Sequence, residues 1–135
     1  MLTLASDSIL VDTSAWIHYF RGKEPFCSRV TELLDADRIC TTGLIIAELL
    51  QGARSEKERA ALRSFPSVFP VIDDSVSLWM EAGELSANLR GQGLTIGLAD
   101  CFIAVAALNN RISVLTEDRH FAKLHQHTGL GLVNV

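Results

Sequence analysis

With 135 residues, 48% of them hydrophobic, the chain has the length of one ordinary domain and enough apolar matter to bury a core. Its formal charge of −4 speaks against holding nucleic acid by bulk electrostatics, but an acidic site loaded with a divalent cation presents positive charge to a phosphate, so acidity alone excludes no partner. No apolar stretch reaches the ~20 residues of a membrane span, and the opening MLTLASDSILVD lacks the basic segment and cleavage site of a secretory signal, so no membrane role and a cytoplasmic location are expected.

In chain order, residues 8–11 are predicted as a first strand, 14–21 as a helix closed by Gly22, and 25–36 as a second helix with Pro25 in its first turn. Residues 38–41 read as a short second strand, and 43–51 repeat apolar positions at helical spacing. Ser55-Glu56-Lys57-Glu58 is a capping box that starts a helix running to about residue 65. A third strand over 68–72 contains Pro70, which confines it to an edge or an irregular path. A long helix over 75–90 stops at Gly91-Gln92-Gly93, and Gly97 precedes a strongly apolar helix over 98–108. A strand at 113–115, a polar helix over 118–126 and a last strand at 132–135 complete the chain. Strands alternating with helices in so short a chain predict a single α/β domain over 1–135, its parallel sheet covered by helices on both faces.

In open sheets of this kind ligands gather beyond the carboxyl ends of the strands. Of the sixteen acidic residues, four stand out from polar surroundings. Asp12 ends the aliphatic run Ile9-Leu10-Val11; Glu48 lies among leucines and isoleucines after the second strand; Asp100 sits in the first turn of the most hydrophobic helix; Asp118 follows Val114-Leu115-Thr116-Glu117. Singly, Asp100 and Asp118 are also explained as helix caps or dipole partners, and Asp12 as a turn residue. Glu48 has no such account, because a mid-helix carboxylate among leucines must find a cation or an edge. Jointly, four carboxylates in one crevice repel unless a cation holds them, and magnesium or manganese, alone or in pairs, suits oxygen ligands and phosphodiester chemistry.

The segments ILVDTS, IIAELL, IGLADCFIAVAAL and VLTEDRHF, in this order and spacing, resemble the PIN-domain ribonucleases, in particular the VapC-type toxins of toxin–antitoxin pairs. The resemblance implies a three-layer α/β/α sandwich with a mostly parallel five-stranded sheet, an endoribonuclease dependent on one or two Mg2+ or Mn2+ ions, a homodimer, and a cognate antitoxin as partner. It places the acidic quartet, catalytic and metal-ligating, on Asp12, Glu48, Asp100 and Asp118. Thr13, Ser14 and Thr116 fall on the family's polar positions, where they would orient ligands or water. One departure is His120 in Thr116-Glu117-Asp118-Arg119-His120-Phe121, where relatives often carry a second aspartate.

Two rivals stand beside this reading. Aspartyl-phosphate phosphatases share a strand ending in aspartate but want an acid two residues later, where this chain has Ser14. A silent binding module with an acidic pocket is the non-enzymatic alternative. The remaining motifs have plainer explanations: Gly91-x-Gly93 a helix stop, His125-x-His127 a solvated helix end, the basic residues Arg54, Lys57, Arg59 and Arg63 a solvated face, and Trp16, Tyr19, Phe20 and Trp79 packing or interface groups. Cys27, Cys40 and Cys101 show no C-x-x-C pair and read as small core residues.

Overall fold

Ile9, Leu10 and Val11 give the chain a strand whose every residue is buried, as a central parallel strand requires; the computed structural model, which describes residues 2–135, shows it as β1 (Ile9–Val11). On one side β1 pairs in parallel with β2 (Ile39–Thr42), and beyond it lies β3 (Val71–Ile72). On the other side β1 pairs in parallel with β4 (Ser113–Leu115), giving the order β3-β2-β1-β4. Ile9 stands opposite both Ile39 and Ser113, so β2, β1 and β4 share one register.

The crossovers are α1 (Thr13–Phe20), α2 (Phe26–Asp35), α3 (Gly43–Gln51), α4 (Glu56–Arg63), α5 (Phe65–Val68), α6 (Val76–Gly91) and α7 (Leu98–Asn110), and α8 (His120–Thr128) follows β4. They pack in two groups, α1 with α2 and α3, and α7 with α6 and α8, and make the α/β/α sandwich. In α7 every residue from Cys101 through Ala107 is buried, as expected of a helix apolar all round. Trp79 of α6 stacks on Phe102 at 4.0 Å between ring centroids, and Trp16 of α1, 1% exposed, packs on Phe20, Phe65 and Phe69. The aromatic residues of these helices are therefore packing groups. Among the described residues no helix is long and apolar enough to cross a membrane.

Most boundaries shift by one or two residues from the sequence reading, and three differences matter for the fold. The sheet has four strands, because 132–135 meets β4 only at a single parallel bridge between Val114 and Leu132. Val114 N–H donates to the Gly131 carbonyl and Val133 N–H to the Val114 carbonyl, each at 3.0 Å, and the chain then leaves β4 with Asn134 and Val135 exposed. Residue 68 belongs to α5, a turn opened by Pro66 near its start, so β3 begins only after Pro70. Pro70 still contributes to the edge, its carbonyl accepting from Thr41 N–H at 3.0 Å. The polar helix starts at His120 because the Asp118 carboxylate accepts from His120 N–H at 2.9 Å, and Asp118 itself stays outside the helix. All three cysteines are free; Cys40 is buried in β2, and burial pushes its thiol up to about 12.

Candidate active site

The chain runs from β1 outward through β2 to β3 and then returns to place β4 on the opposite side of β1, so the order reverses between β1 and β4. Such a reversal leaves a crevice at the carboxyl ends of the two strands. Asp12 ends β1 and its N–H donates to the Leu115 carbonyl of β4 at 2.9 Å, so the backbone carries this carboxylate to the crevice. Asp12 is the residue preceding α1, yet its side chain does not cap that helix, which leaves the carboxylate free for the site. At 7% exposure it is one of few buried polar residues.

Two hydroxyls hold it. Thr116 Oγ1 donates to Asp12 Oδ2 at 2.9 Å and Ser14 Oγ donates to the same oxygen at 3.2 Å. The two hydroxyl oxygens stand 3.2 Å apart, and each also accepts a backbone N–H, Ser14 from Glu117 and Thr116 from Asp118, both at 3.0 Å. Ser14 and Thr116 thus tie the start of α1 to the segment after β4 through the Asp12 carboxylate. On the other flank, Thr13 Oγ1 donates to Glu48 Oε1 at 2.9 Å, fixing an acid from α3 to the first residue of α1. Glu48 reaches that edge because Thr42 caps α3, its hydroxyl accepting from Ile45 N–H at 3.1 Å, and sets the helix phase.

Asp100 enters from the first turn of α7, whose preceding residue Gly97 offers no capping side chain. Burial raises the pKa of Asp12, the hydrogen bonds from Thr116, Thr13 and Ser14 oppose that rise, and the Asp100 charge adds to it. Asp100 is raised as well, by burial first and then by Asp118, against a lowering from His120. Asp100 therefore acts on Asp12 and feels Asp118, and Glu48 is tied to Thr13, the residue after Asp12. The sequence reading placed the four acids Asp12, Glu48, Asp100 and Asp118 in one crevice, with Thr13, Ser14 and Thr116 beside them by resemblance; in the fold Ser14 and Thr116 bind Asp12 and Thr13 binds Glu48.

His120 was not among those candidates. Its Nδ1 stands 3.1 Å from Asp100 Oδ2 and 3.6 Å from Asp118 Oδ1. One donor atom from each of Asp100, Asp118 and His120 lies within 4.8 Å of the others, a set to which Asp12 and Glu48 do not belong. The sequence showed it only as a departure, a histidine where the resembled family often carries an aspartate; in the fold the fully buried Phe121 beside it anchors the start of α8. Carboxylate oxygens, that of Asp100 on an acid whose pKa burial raises, together with an imidazole, form a donor set suited to a divalent cation. His125, by contrast, is engaged at the end of α8, its Nδ1 2.5 Å from the Leu130 carbonyl oxygen. Arg63 of α4 pairs with Glu56, as a solvated helix face does.

The chain is similar to known proteins along most of its length. The model of the PIN domain matches residues 9–126. Ribonuclease VapC11 of Mycobacterium tuberculosis is 30% identical over 127 residues, 90% of this chain and 95% of the relative. Ribonuclease VapC5 of the same organism is 28% identical over 135 residues, covering 93% and 94% of the two chains. Among solved structures, VapBC2 of Rickettsia felis bound to a DNA fragment from its promoter superposes with a TM-score of 0.74 at 23% identity, over 94% of this chain and 98% of that one.

Proposed function

This chain belongs to the PIN-domain family, and from that premise we propose that it is a metal-dependent endoribonuclease of the VapC type that cuts single-stranded RNA, the toxin of a pair in which an antitoxin restrains it. The convergence of Asp12, Asp100 and Asp118 at the switch point of the sheet, with Glu48 at its flank, supports this reading most directly. One or two Mg2+ or Mn2+ ions, when bound, supply activation of water and neutralisation of the phosphate charge. Asp100 and Asp118 would hold the cation with Asp12, while Glu48 closes the far side of the site. Thr116 and Ser14 keep the Asp12 carboxylate in one orientation, and Thr13 does the same for Glu48. RNA as substrate follows the relatives named as ribonucleases.

The antitoxin partner is supported by a groove beside Glu48, floored by Ile17, Phe20, Leu49 and Leu62 and edged by Arg21 and Arg54. A homodimer is supported by exposed apolar groups on the adjacent α6 and α7: Val76 at 76%, Met80 at 62% and Leu98 at 50%. Incubation with single-stranded RNA tests the activity. Cleavage in Mn2+ should vanish on chelation and fall in Asp100→Asn by more than the roughly 100-fold seen for partners that only orient a metal ligand. Equal cleavage by wild type and variant would overturn the reading.

A further inference from the structure

We propose that His120, through Nδ1, is a nitrogen ligand of the divalent cation held by Asp100 and Asp118, and that it biases this site toward Mn2+ over Mg2+. The inference rests on the metal-dependent reading above and adds a ligand and a selectivity to it. Two donors each about 2.1 Å from one ion at right angles stand about 3.0 Å apart. His120 Nδ1 lies 3.1 Å from Asp100 Oδ2 and 3.6 Å from Asp118 Oδ1, close to such an edge in both directions.

The imidazole is held there from both ends. Its backbone N–H donates to Asp118 Oδ1 at 2.9 Å, and the next residue, Phe121, is fully buried and pins the first turn of α8. The side chain is 46% exposed, and ligation through Nδ1 requires the tautomer that carries its proton on Nε2. Mg2+ demands oxygen donors and near-ideal octahedral geometry, whereas Mn2+, though it too favours oxygen, is a first-row transition ion and accepts an imidazole more readily. An aspartate in this position would offer a third carboxylate and no such preference.

The test uses the whole chain loaded with Mn2+ and pulsed electron paramagnetic resonance, which detects directly bound 14N. Wild type should show nitrogen coupling, and His120→Gln should bind Mn2+ without it. In His120→Asp the preference for Mn2+ over Mg2+, read by competition calorimetry, should drop at least about tenfold. The chain has four histidines, so a variant replacing His18, His125 and His127 should keep the coupling, which decides the matter even if the His120 variants do not fold. Mn2+ bound to wild type without nitrogen coupling, or coupling that survives in His120→Gln, overturns the proposal while leaving the metal site intact. Absence of any Mn2+ binding by wild type instead overturns the metal-dependent reading, and this ligand with it.

Discussion

Asp12 is buried, takes two side-chain hydroxyl bonds and feels a second acid, and the net result is a pKa above its ordinary value of 3.8. A carboxyl raised in the folded state binds its proton more tightly there than in the unfolded chain, so its contribution to stability is fully present below about 3.8 and is lost as pH rises through the folded value. Near neutral pH and without metal, Asp12 therefore weakens the fold. Asp12→Asn keeps the shape and removes the charge, and in chelator-treated protein it should raise the melting temperature by roughly 3–5 °C, as about 1 kcal/mol does in a chain of this size. Scanning calorimetry across pH checks the sign: the gap between variant and wild type should be widest above the raised value and close toward 3.8. A gap that grows as pH falls would show that the hydrogen bonds, not burial, dominate this carboxyl. Stability sacrificed at a charged site is a common cost of function.

Among the elements, the segment between β4 and α8 carries the most consequence, since Thr116 and Asp118 ride on it and it delivers His120 as the first residue of α8. It is clamped from α1. His18 Nε2 meets Glu117 Oε2 at 2.5 Å, and the His18 ring stacks on Phe26 of α2 at 5.3 Å between centroids. With Glu117 half-exposed, the pair should add little to global stability, under about 1 kcal/mol. Its effect is local: His18→Ala is expected to speed amide exchange at Glu117 and Asp118 several-fold while the core amides of α7 hold their rates, as hydrogen-exchange mass spectrometry or NMR would read. Uniform acceleration would make His18 an ordinary packing residue. This element also marks where the sequence was legible. The bounds of α3 and β4 follow from apolar runs closed by polar residues, so Glu48 and Asp118 were placed correctly relative to strand ends. His120 escaped because a histidine beside an arginine at a helix start has no pattern of its own; only the fold shows that it faces Asp100. The fifth strand was overread because 132–135 is apolar enough to pair, whereas pairing there is limited to one bridge to the three-residue β4. Gly131 shows how close that one approach is, since a Cβ built on it would stand 2.5 Å from Ser113 Oγ.

At the scale of the molecule, the acids come from residues 12, 48, 100 and 118, from β1, α3, α7 and the segment after β4. No short peptide of this chain contains them together, so the site exists only when both sides of the sheet are assembled. A cation that binds it binds the native state and has no comparable site on the unfolded chain, and mass action then converts affinity into stability. At a concentration 100 times the dissociation constant the gain is about 2.7 kcal/mol, or roughly 10 °C in melting temperature for a domain of this length. Mn2+ added to metal-free protein should produce that rise in differential scanning fluorimetry. Asp12→Asn combined with Asp100→Asn should abolish it, although the double variant without metal melts higher than wild type because the charge on buried Asp12 and that on partly buried Asp100 are gone. The two shifts have opposite signs from the same substitutions, which separates a cation site from nonspecific stabilisation by salt. A double variant that retained the full Mn2+ effect would place the cation elsewhere on the protein and leave the crevice between β1 and β4 without its chemistry.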